Sequence, residues 1–338
     1  MKPFPQPYVV GVDGGSSKTI ALVAAADGAL LGGGRAGNCC WYGVGKQGAA
    51  EAVAGAVRQA LAQAGVAPEQ VAYACYCLTG ADWPEDAPML RDEVLRPLGL
   101  SAELAVKNDA FAALRAGTAE PYGVAICAGT GTNTAIIAPD GQEYAYGYFA
   151  DAGSGGDIAR CAIHAVLRAD DGRGRPTSLT GLMLGNFGYA TPEALLRARL
   201  SGELGSNRIH TACPLVFEAA AAGDAVARGI IVAQGHELAL YATAAIRRFG
   251  MQESAFDVVL SGSIFKGRGP LLIDTVTADV LAVAPQARVV RPRCEPAGGA
   301  VLLALDACGV RVTPQVLDRL CATQPGPELF STNTLTES

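Results

Sequence analysis

Two stretches of the chain, Val9–Gly28 and Val124–Gly141, share one plan that strongly limits how the chain can fold. In each, a short apolar strand runs into a turn rich in Gly, Ser and Thr, a second apolar strand follows, and an Asp-Gly pair closes the hairpin. Aligned with one gap, Asp13 matches Cys127. A duplicated three-stranded unit would leave such a weak repeat. Turns of this type present N–H groups and hydroxyls that can surround an anion, so two facing turns could clamp a polyphosphate.

The segments that follow the first hairpin predict alternating helices and strands. A helix near Lys46–Ala64, entered through a loop at Trp41 and Tyr42, precedes an apolar run at Gln70–Leu78 that is typical of a buried central strand. The second half repeats the meander and then carries several helices, the longest near Asp224–Phe249. Strands separated by helices after a meander predict an α/β fold.

The repeat and the helical stretch together predict two lobes around a cleft. We place the first lobe at residues 1–117 and the second, with a helical insertion, at residues 118–323. The last helix of the second lobe can pack back on the first. The segment 324–338, rich in Pro, Ser and Thr, is expected to form a tail outside the core.

Charge and hydropathy narrow the class of protein. The 338 residues carry a net charge of −6, which argues against a nucleic-acid or anionic-membrane surface. No apolar run approaches the ~18 residues of a membrane span, and the N-terminal MKPFPQPYVV lacks the apolar core of a signal peptide. We therefore expect a cytoplasmic protein without a membrane or nucleic-acid partner.

The ten cysteines are spread along the chain and lie mostly in apolar strand or helix patterns, as Cys75 and Cys77 do. We interpret them as free thiols that pack as small apolar side chains rather than as disulfides. A zinc site is not predicted, because no C-x2-C pair occurs and the three histidines are far apart in the sequence.

The sequence contains partial matches to two common nucleotide-binding motifs, but neither match is complete. Around Lys18, Ser17 and Val12 stand where a Walker A loop requires glycine. The run Gly43–Gly48 matches G-x-G-x-x-G and leads into a helix pattern, but no strand pattern precedes it. A dinucleotide-binding fold of the Rossmann type is therefore not favoured.

Asp13 ends a predicted buried strand on a Gly-Gly turn. Its carboxylate could hold a magnesium ion through water, or it could belong to a purely structural Asp-Gly turn. Hydroxyls at Ser16 and Ser17, the cation of Lys18 and the repeated turn at Thr130–Thr132 favour phosphate binding.

Two further carboxylates stand at the entries to predicted helices. Asp109 stands where the predicted strand Ser101–Val106 passes into a helix, and it could face a ligand or cap the helix. Asn108 could supply the cap instead and leave Asp109 free. Asp151 precedes a glycine-rich helix entry, where it could orient a hydroxylated ligand or act only as a cap.

The small residues of Leu260–Ser263 could admit a flat base or form a bare turn.

Six segments occur along the chain in this order: VVGVDGGSSKT, KNDAFAAL, VAICAGTGTN, YFADAGSG, VVLSGSIFKG and EPAGGAVLLAL. Together they resemble the actin/Hsp70/sugar-kinase superfamily and, more narrowly, the N-acetylglucosamine kinase group within the BadF/BadG-type ATPase family. The resemblance spans roughly Val9–Ala307. It implies an α/β fold of two ribonuclease-H-like (actin-like ATPase) lobes around a nucleotide cleft. It also implies ATP and Mg²⁺ as cofactors, an amino sugar as the small-molecule partner, and a homodimer.

The resemblance also implies roles for single residues. Asp109 corresponds to the general base, and Asp13 to the carboxylate associated with magnesium, through water. The reaction implied is transfer of phosphate from ATP to the 6-hydroxyl of N-acetylglucosamine or glucosamine. The implied nucleotide contacts are Asp13, Gly14, Gly15, Ser16, Ser17, Lys18, Gly129, Thr130, Gly131, Gly262, Ser263 and Lys266. The implied sugar contacts are Asn38, Thr79, Asn108, Asp109, Thr132, Asn133, Gly147 and Asp151.

Three departures from the family pattern lie on the sugar side. Ala152 stands where the family usually has a second acidic residue, Tyr146 stands where Trp is common, and the segment between Gly147 and Asp151 is one residue shorter. These differences leave the identity of the acceptor open.

Two other functions stay open on the sequence. Cys127 lies in a segment that resembles a ligand segment of the ATPases that drive electrons into 2-hydroxyacyl-CoA dehydratases or benzoyl-CoA reductases. Those proteins bridge two subunits with an iron–sulfur cluster, but no clear second cysteine follows, and Cys161 lies in a helix pattern. A sugar-sensing protein without turnover is the other alternative, although it would not need both Asp13 and Asp109.

Overall fold

The computed structural model describes residues 8–331, apart from the side chain of Tyr148. Residues 1–7, which we considered for a signal peptide, and the last part of the predicted tail, 332–338, lie outside the described residues. The strands of the described chain are β1 (Tyr8–Gly14), β2 (Thr19–Ala24), β3 (Leu30–Ala36), β4 (Val71–Leu78), β5 (Glu103–Asn108), β6 (Gly123–Ala128), β7 (Thr132–Ile137), β8 (Glu143–Ala145), β9 (Asp257–Ser261) and β10 (Arg288–Val290).

The described α-helices vary from single turns to long rods. They are α1 (Trp41–Ala64), α2 (Asp86–Met89), α3 (Asp109–Arg115), α4 (Gly155–Asp170), α5 (Leu179–Phe187), α6 (Pro192–Leu200), α7 (Ser206–His210), α8 (Cys213–Ala221), α9 (Ala225–Arg248), α10 (Leu271–Val283), α11 (Pro296–Ala307) and α12 (Pro314–Ala322). A π-helical segment, Leu90–Leu95, and short 3₁₀ turns, including Gly147–Phe149, Ser263–Lys266 and Pro327–Leu329, complete the elements.

The ten strands form two five-stranded sheets with the same plan. In the first sheet the order is β3-β2-β1-β4-β5, with β1 antiparallel to β2 and parallel to β4. The second sheet, read as β8-β7-β6-β9-β10, places β6 antiparallel to β7 and parallel to β9. The predicted α/β fold with a repeated meander is confirmed.

Apolar side chains pack in three layers around these sheets. On the outer face of the first sheet, Val53 of α1 packs with Val10 of β1. On the outer face of the second, Ile158 of α4 and Leu238 of α9 pack with Ile126 of β6. The middle layer holds α3 and α11 between the two sheets. Burial of these side chains, at about 25 cal/mol per Å² of apolar area, is the main favourable term for the fold.

The helix α11 follows the second sheet in sequence but packs on elements of the first. The middle layer that contains it includes Val9 and Leu22 from the first sheet and Val259 from the second. A Cβ added at Gly299 would lie 1.9 Å from the Ala112 carbonyl oxygen of α3, so only glycine allows the two helices to approach so closely. The chain therefore returns to the first sheet at α11.

The entry to α1 differs from the sequence prediction. Trp41 and Tyr42 lie in the first turn of the helix rather than in a loop, and Gly45, with φ of +73°, kinks the helix one turn later. The indole Nε1 of Trp41 donates a hydrogen bond to the Gly80 carbonyl oxygen at 2.7 Å. This tertiary contact, which local sequence does not reveal, anchors the first turn.

The described part of the predicted tail is not outside the core, so that expectation is wrong for residues 324–331. Phe330 is only 8% exposed and belongs to the middle apolar layer. Arg35 of β3 donates from its guanidinium to the Glu328 carbonyl oxygen at 3.4 Å. The segment is held by apolar burial although its composition resembles a linker.

Two expectations from composition can be compared with the structure. All ten cysteines are free thiols, as predicted, and Cys75 and Cys77 pack side by side in β4 with their Sγ atoms 3.8 Å apart. None of the helices within residues 8–331 combines the length and the apolar character needed to span a bilayer.

Candidate active site

The two glycine-rich turns lie on opposite sides of one cavity of about 450 Å³. Asp13, Gly15, Ser16 and Ser17 line it from the turn after β1, and residues 127–133 line it from the turn after β6. The structure therefore brings the two repeated turns together between the sheets.

Strand register explains why the two turns are alike but differ by one residue. The β1–β2 pairing ends at Gly14 opposite Thr19, and the β6–β7 pairing ends at Ala128 opposite Thr132. Four residues therefore form the first turn and three the second, which accounts for the gap in the sequence alignment. Inside the turns, Gly15 N donates to the Lys18 carbonyl oxygen and Gly129 N to the Gly131 carbonyl oxygen, both at 2.8 Å.

The loop after β9 completes the cavity and opens a second one. Gly262 has φ of +108°, and a Cβ there would lie 2.1 Å from the Ala128 carbonyl oxygen, so a side chain would push the loop off the second turn. Beyond it, a cavity of about 360 Å³ shares Gly129 and Thr130 with the first and is also lined by Ser263, Lys266 and Phe217 of α8. Its apolar wall suits a flat heterocycle.

Asp109 lines the 450 Å³ cavity. Its carboxylate is not needed as the cap of α3, because Asn108 supplies that cap. The Asn108 Oδ1 accepts the Ala110 N–H at 3.0 Å and so caps α3. The pKa of the Asp109 carboxyl is raised to about 7. Burial is the main cause, and the nearby carboxylates of Asp13 and Asp82 add to it. A carboxyl with this pKa can exchange a proton near neutral pH.

Asp13 lies at the base of the first turn on the same cavity. Burial raises the pKa of its carboxyl to about 6, against the lowering effect of Lys18 and with a raising effect of Glu295. A carboxyl raised in this way favours a bound cation, because a cation offsets the cost of burying the charge.

The site fits a magnesium ion that arrives with a nucleotide. Among the described residues no group of three or more His, Cys, Asp and Glu side chains is placed to hold a metal. Magnesium does not need such a cage, because it usually keeps several waters and binds through one or two carboxylates plus substrate phosphates. Asp13, beside the hydroxyls of Ser16 and Ser17, provides that kind of partial ligand set.

A chain of hydrogen bonds crosses the cleft beside Asp109; we call it the polar chain, Asp82–Asn108–Asn133–Gly147. The Asn108 Nδ2 donates to Asp82 Oδ1 at 2.7 Å, and the Asn133 Nδ2 donates to Asn108 Oδ1 at 2.9 Å. The Asn133 Oδ1 then accepts the Gly147 N–H at 3.0 Å. The first two residues belong to the first sheet's side of the cleft and the last two to the second.

Most of the sequence-predicted site residues line this cavity together. They are Asp13, Gly15, Ser16, Ser17, Thr79, Asp109, Gly129, Thr130, Gly131, Thr132, Asn133, Gly147 and Gly262. Ser263 and Lys266 line the neighbouring 360 Å³ cavity. Their individual roles stay predictions.

Five predicted residues line neither of these two cavities. Gly14 is buried against Cys39 and Leu78. Lys18 donates from Nζ to the Phe330 carbonyl oxygen, and the Asn38 Oδ1 accepts the Cys40 N–H at 2.7 Å. This geometry does not support direct phosphate or sugar contacts for Gly14, Lys18 and Asn38.

The other two, Asn108 and Asp151, are occupied elsewhere. Asn108 is only 4% exposed, and both ends of its amide are used by the polar chain and the α3 cap. Asp151 is exposed, and its Oδ1 accepts the Tyr241 hydroxyl of α9 at 2.5 Å. Asn108 is therefore held by hydrogen bonds at both ends of its amide, and Asp151 is held on α9; their predicted contacts with a sugar stay predictions.

Asp82 is the main site residue that sequence reasoning missed; it lines the cavity with Ala110, Ala113 and Pro296. A usable signal existed. The strands β4 and β5 are parallel neighbours, with Leu78 paired to Asn108, so acidic residues that follow them emerge at the same sheet edge. Asp82 and Asp109 both satisfy that condition.

The iron–sulfur alternative gains no support from the thiols. Cys127 lines the cleft, and burial, with the charges of Asp109 and Asp13, raises the pKa of its thiol. Burial also raises the pKa of the Cys161 thiol in α4. Iron binds the thiolate form, which these environments disfavour.

Comparisons with known proteins agree with this geometry. The chain matches the BadF/BadG/BcrA/BcrD ATPase family over residues 10–304. It is 27% identical to an N-acetyl-D-glucosamine kinase of Dictyostelium discoideum, with 88% of this chain and 98% of that protein covered. It is also 27% identical to an N-acetylmuramic acid/N-acetylglucosamine kinase of Clostridium acetobutylicum, with 89% and 99% covered.

Solved structures show the same fold. A Chromobacterium violaceum protein assigned as an N-acetylglucosamine kinase has a TM-score of 0.65 at 23% identity, covering 89% of this chain and 99% of that one. A ROK family glucokinase from Streptomyces griseus, solved with glucose and AMPPNP, has a TM-score of 0.50 at 22% identity, covering 88% and 99%. The predicted actin-like ATPase fold, the resemblance to N-acetylglucosamine kinases and the expectation of a kinase-type enzyme are confirmed. The chain belongs to the BadF/BadG/BcrA/BcrD ATPase family.

Proposed function

We propose that the protein is an ATP-dependent sugar kinase that phosphorylates the 6-hydroxyl of an amino sugar, N-acetylglucosamine or glucosamine. The observation that carries the proposal is that two glycine-rich turns and a carboxyl with a pKa of about 7 line one cavity. The amino-sugar class rests on the two curated relatives, which act on N-acetylated sugars by name.

The two turns would hold the phosphates. Ser16 and Ser17 offer N–H groups and hydroxyls from one side, and Thr130 and Gly131 offer N–H groups and one hydroxyl from the other. The 360 Å³ cavity beside Thr130 would take the base of the nucleotide. Asp13 would hold Mg²⁺ through water, and the ion supplies charge neutralisation on the phosphates when it is bound.

Asp109 would act as the general base. As the sugar oxygen commits to phosphorus, the carboxylate accepts the hydroxyl proton, and solvent removes that proton after product release. A positioned base typically accelerates such a step ~10²–10⁴-fold. The remaining acceleration would come from alignment by the two turns and from exclusion of water between the lobes.

The acceptor would lie beside the polar chain. Thr79, Asp82, Asn133 and Gly147 line that end of the cavity and offer hydrogen-bonding groups suited to sugar hydroxyls. Thr132, whose hydroxyl donates to the Ala152 carbonyl oxygen at 2.8 Å, would hold the loop that follows. We also propose that the protein is a cytoplasmic homodimer. Light scattering after size exclusion would test the oligomeric state.

A coupled ADP-release assay across a panel of amino sugars and hexoses tests the function. We expect ADP release that requires both Mg²⁺ and an amino sugar, and a 6-phosphate ester in the product by phosphorus NMR. Sugar-independent ATP hydrolysis by brown, iron-containing protein purified without oxygen would instead indicate the electron-driving ATPase. Sugar binding without ADP release under saturating Mg-ATP would indicate a sensing protein.

A further inference from the structure

Two large exposed aromatic rings are carried by segments that line the proposed acceptor end of the cavity. Trp83 is 41% exposed and Phe149 is 62% exposed, and their ring centroids lie 5.7 Å apart with the planes at 74°. Trp83 directly follows Asp82, and Phe149 lies two residues after Gly147; Asp82 and Gly147 both line the cavity. Exposed aromatic rings at a cavity mouth are a common mark of a binding surface.

The loop that carries Trp83 is held by a buried carboxylate. Asp86 is 4% exposed, and its Oδ2 accepts the Trp83 N–H at 2.8 Å and the Asp82 N–H at 3.1 Å. The Tyr42 hydroxyl donates to the same carboxylate at 3.2 Å. The backbone at Trp83 is therefore fixed next to Asp82, which lines the cavity, rather than lying on an unconstrained loop.

The turn that carries Phe149 is held by the polar chain. Gly147 donates its N–H to Asn133 Oδ1, and Phe149 donates its N–H to the Tyr146 carbonyl oxygen at 2.9 Å. The Gly147 turn also touches the Asp82 loop, since a Cβ added at Gly147 would lie 3.0 Å from the Asp82 Cβ. Each ring thus stands beside one end of the polar chain, on opposite sides of the cleft.

We propose that Trp83 and Phe149 form an aromatic clamp that closes over the bound acceptor and packs on the C–H face of its sugar ring. This inference rests on the proposed function. The C–H face of a pyranose is apolar, and its hydrogens complement the negative face of an aromatic ring. Because the rings come from opposite sides of the cleft, they part to admit the sugar and cover it when the lobes close. Closure of this kind excludes water from the reacting hydroxyl.

Kinetics separate the clamp from a role in nucleotide binding. We expect Trp83→Ala and Phe149→Ala each to raise KM for the sugar roughly 3–10-fold, while KM for ATP stays within about twofold. Leu200→Ala is the matched control, because Leu200 is 78% exposed on the insertion helix α6 and should change neither constant. Trp83→Phe, which keeps a ring, should recover most of the affinity for sugar.

A spectroscopic signal tests the contact directly. The chain has two tryptophans, so incorporation of 5-fluorotryptophan gives two fluorine resonances, and the variant Trp83→Phe assigns them. We expect saturating sugar to shift the Trp83 resonance and to reduce its accessibility to a paramagnetic quencher, with a smaller effect on Trp41. This readout uses the unsubstituted protein and does not depend on the stability of an alanine variant.

The outcomes are distinguishable. If a sugar is phosphorylated while the Trp83 resonance does not move and both alanine variants keep the normal KM for sugar, the clamp is wrong and the kinase assignment stands. If no sugar in the panel supports ADP release, the proposed function fails and the clamp fails with it.

Discussion

The proposed function assigns one end of the cleft to the nucleotide and the other to the acceptor, and these two ends, here called the nucleotide side and the acceptor side, are built in different ways. On the nucleotide side, each turn joins two antiparallel strands of one sheet and is closed by its own backbone hydrogen bonds, such as Gly129 N to the Gly131 oxygen at 2.8 Å. On the acceptor side, side chains from both sheets meet in the polar chain. The nucleotide side is therefore preformed within each lobe, whereas the acceptor side depends on how the lobes meet.

Asp109→Asn should produce the largest difference between the effect on turnover and the effect on ATP affinity. Turnover is expected to fall by ~10²–10⁴-fold because the substituted amide cannot accept the proton. The affinity for ATP should change little, since the two turns are untouched. Steady-state ADP release and nucleotide titration measure the two quantities.

Asp171→Asn is the matched control for that substitution. Asp171 is exposed between α4 and α5, where it pairs with Arg173. Its replacement should leave turnover and ATP affinity unchanged. Equal turnover in Asp109→Asn and the unsubstituted protein would remove the assigned base.

Asn133→Ala should weaken the acceptor side alone. The change removes the acceptor of the Gly147 N–H and one of the two donors to Asn108 Oδ1, which keeps its bond from the Ala110 N–H. Loss of such partly buried hydrogen bonds, at about 1–3 kcal/mol, corresponds to a KM for sugar raised roughly 10–100-fold. A comparable rise in KM for ATP would contradict the division of the cleft into two independent sides.

The pH dependence should reveal the raised pKa of Asp109. With a pKa of about 7 in the free enzyme, the carboxyl is mostly protonated at pH 6 and mostly ionised at pH 8. Because the base must be ionised, kcat/KM for the sugar should rise roughly tenfold across this range. A profile that is flat from pH 6 to pH 8 would oppose the assignment.

Stability provides an independent reading of the same pKa. The folded pKa lies above the unfolded value of 3.8, so the folded protein binds more protons between these values and loses stability as pH rises through them. Asp109→Asn removes this loss of stability at high pH, because the amide does not ionise. We expect the variant to be more stable than the unsubstituted protein by about 4 kcal/mol at pH 8 and by less than about 1 kcal/mol at pH 4, in urea titrations.

Tyr241→Phe should give the smallest effect and tests whether the loop at Asp151 and Ala152 contributes to binding of the sugar. The hydroxyl accepts the N–H groups of Asp151 and Ala152 at 2.7 and 3.1 Å and donates to Asp151 Oδ1. Its loss, about 1 kcal/mol, should raise KM for sugar a few-fold and leave KM for ATP unchanged. Tyr189→Phe, at a hydroxyl that contacts Glu203 on the insertion, is the control and should change neither.

The part of the site that sequence predicts well is the part made by local structure. The turns at Gly15–Ser17 and 129–131 follow from apolar strands that end in Gly, Ser and Thr, and the possibility that Asn108 caps α3 follows from adjacent polar residues. These features depend on hydrogen bonds between residues close in sequence. The fold class was predictable for the same reason, because the meander occurs twice.

The misplaced residues depend on contacts that are distant in sequence. Lys18 reaches a carbonyl oxygen 312 residues later, and Asp151 is held by a tyrosine 90 residues later. Trp41 begins a helix because it bonds to Gly80, and Phe330 is buried despite its linker-like neighbours. No local pattern contains these partners, so the sequence could not assign them.

The position of α11 has a consequence for biosynthesis. The 180 residues from 116 to 295 separate the end of α3 from the start of α11, so the inner face of the first sheet emerges from the ribosome long before the helix that covers it. At roughly 5–20 residues per second, the delay is about 10–40 s. During that time apolar side chains such as Val9 and Leu22 lack the cover that α11 provides. The first sheet is therefore the segment that a co-translational chaperone would have time to protect.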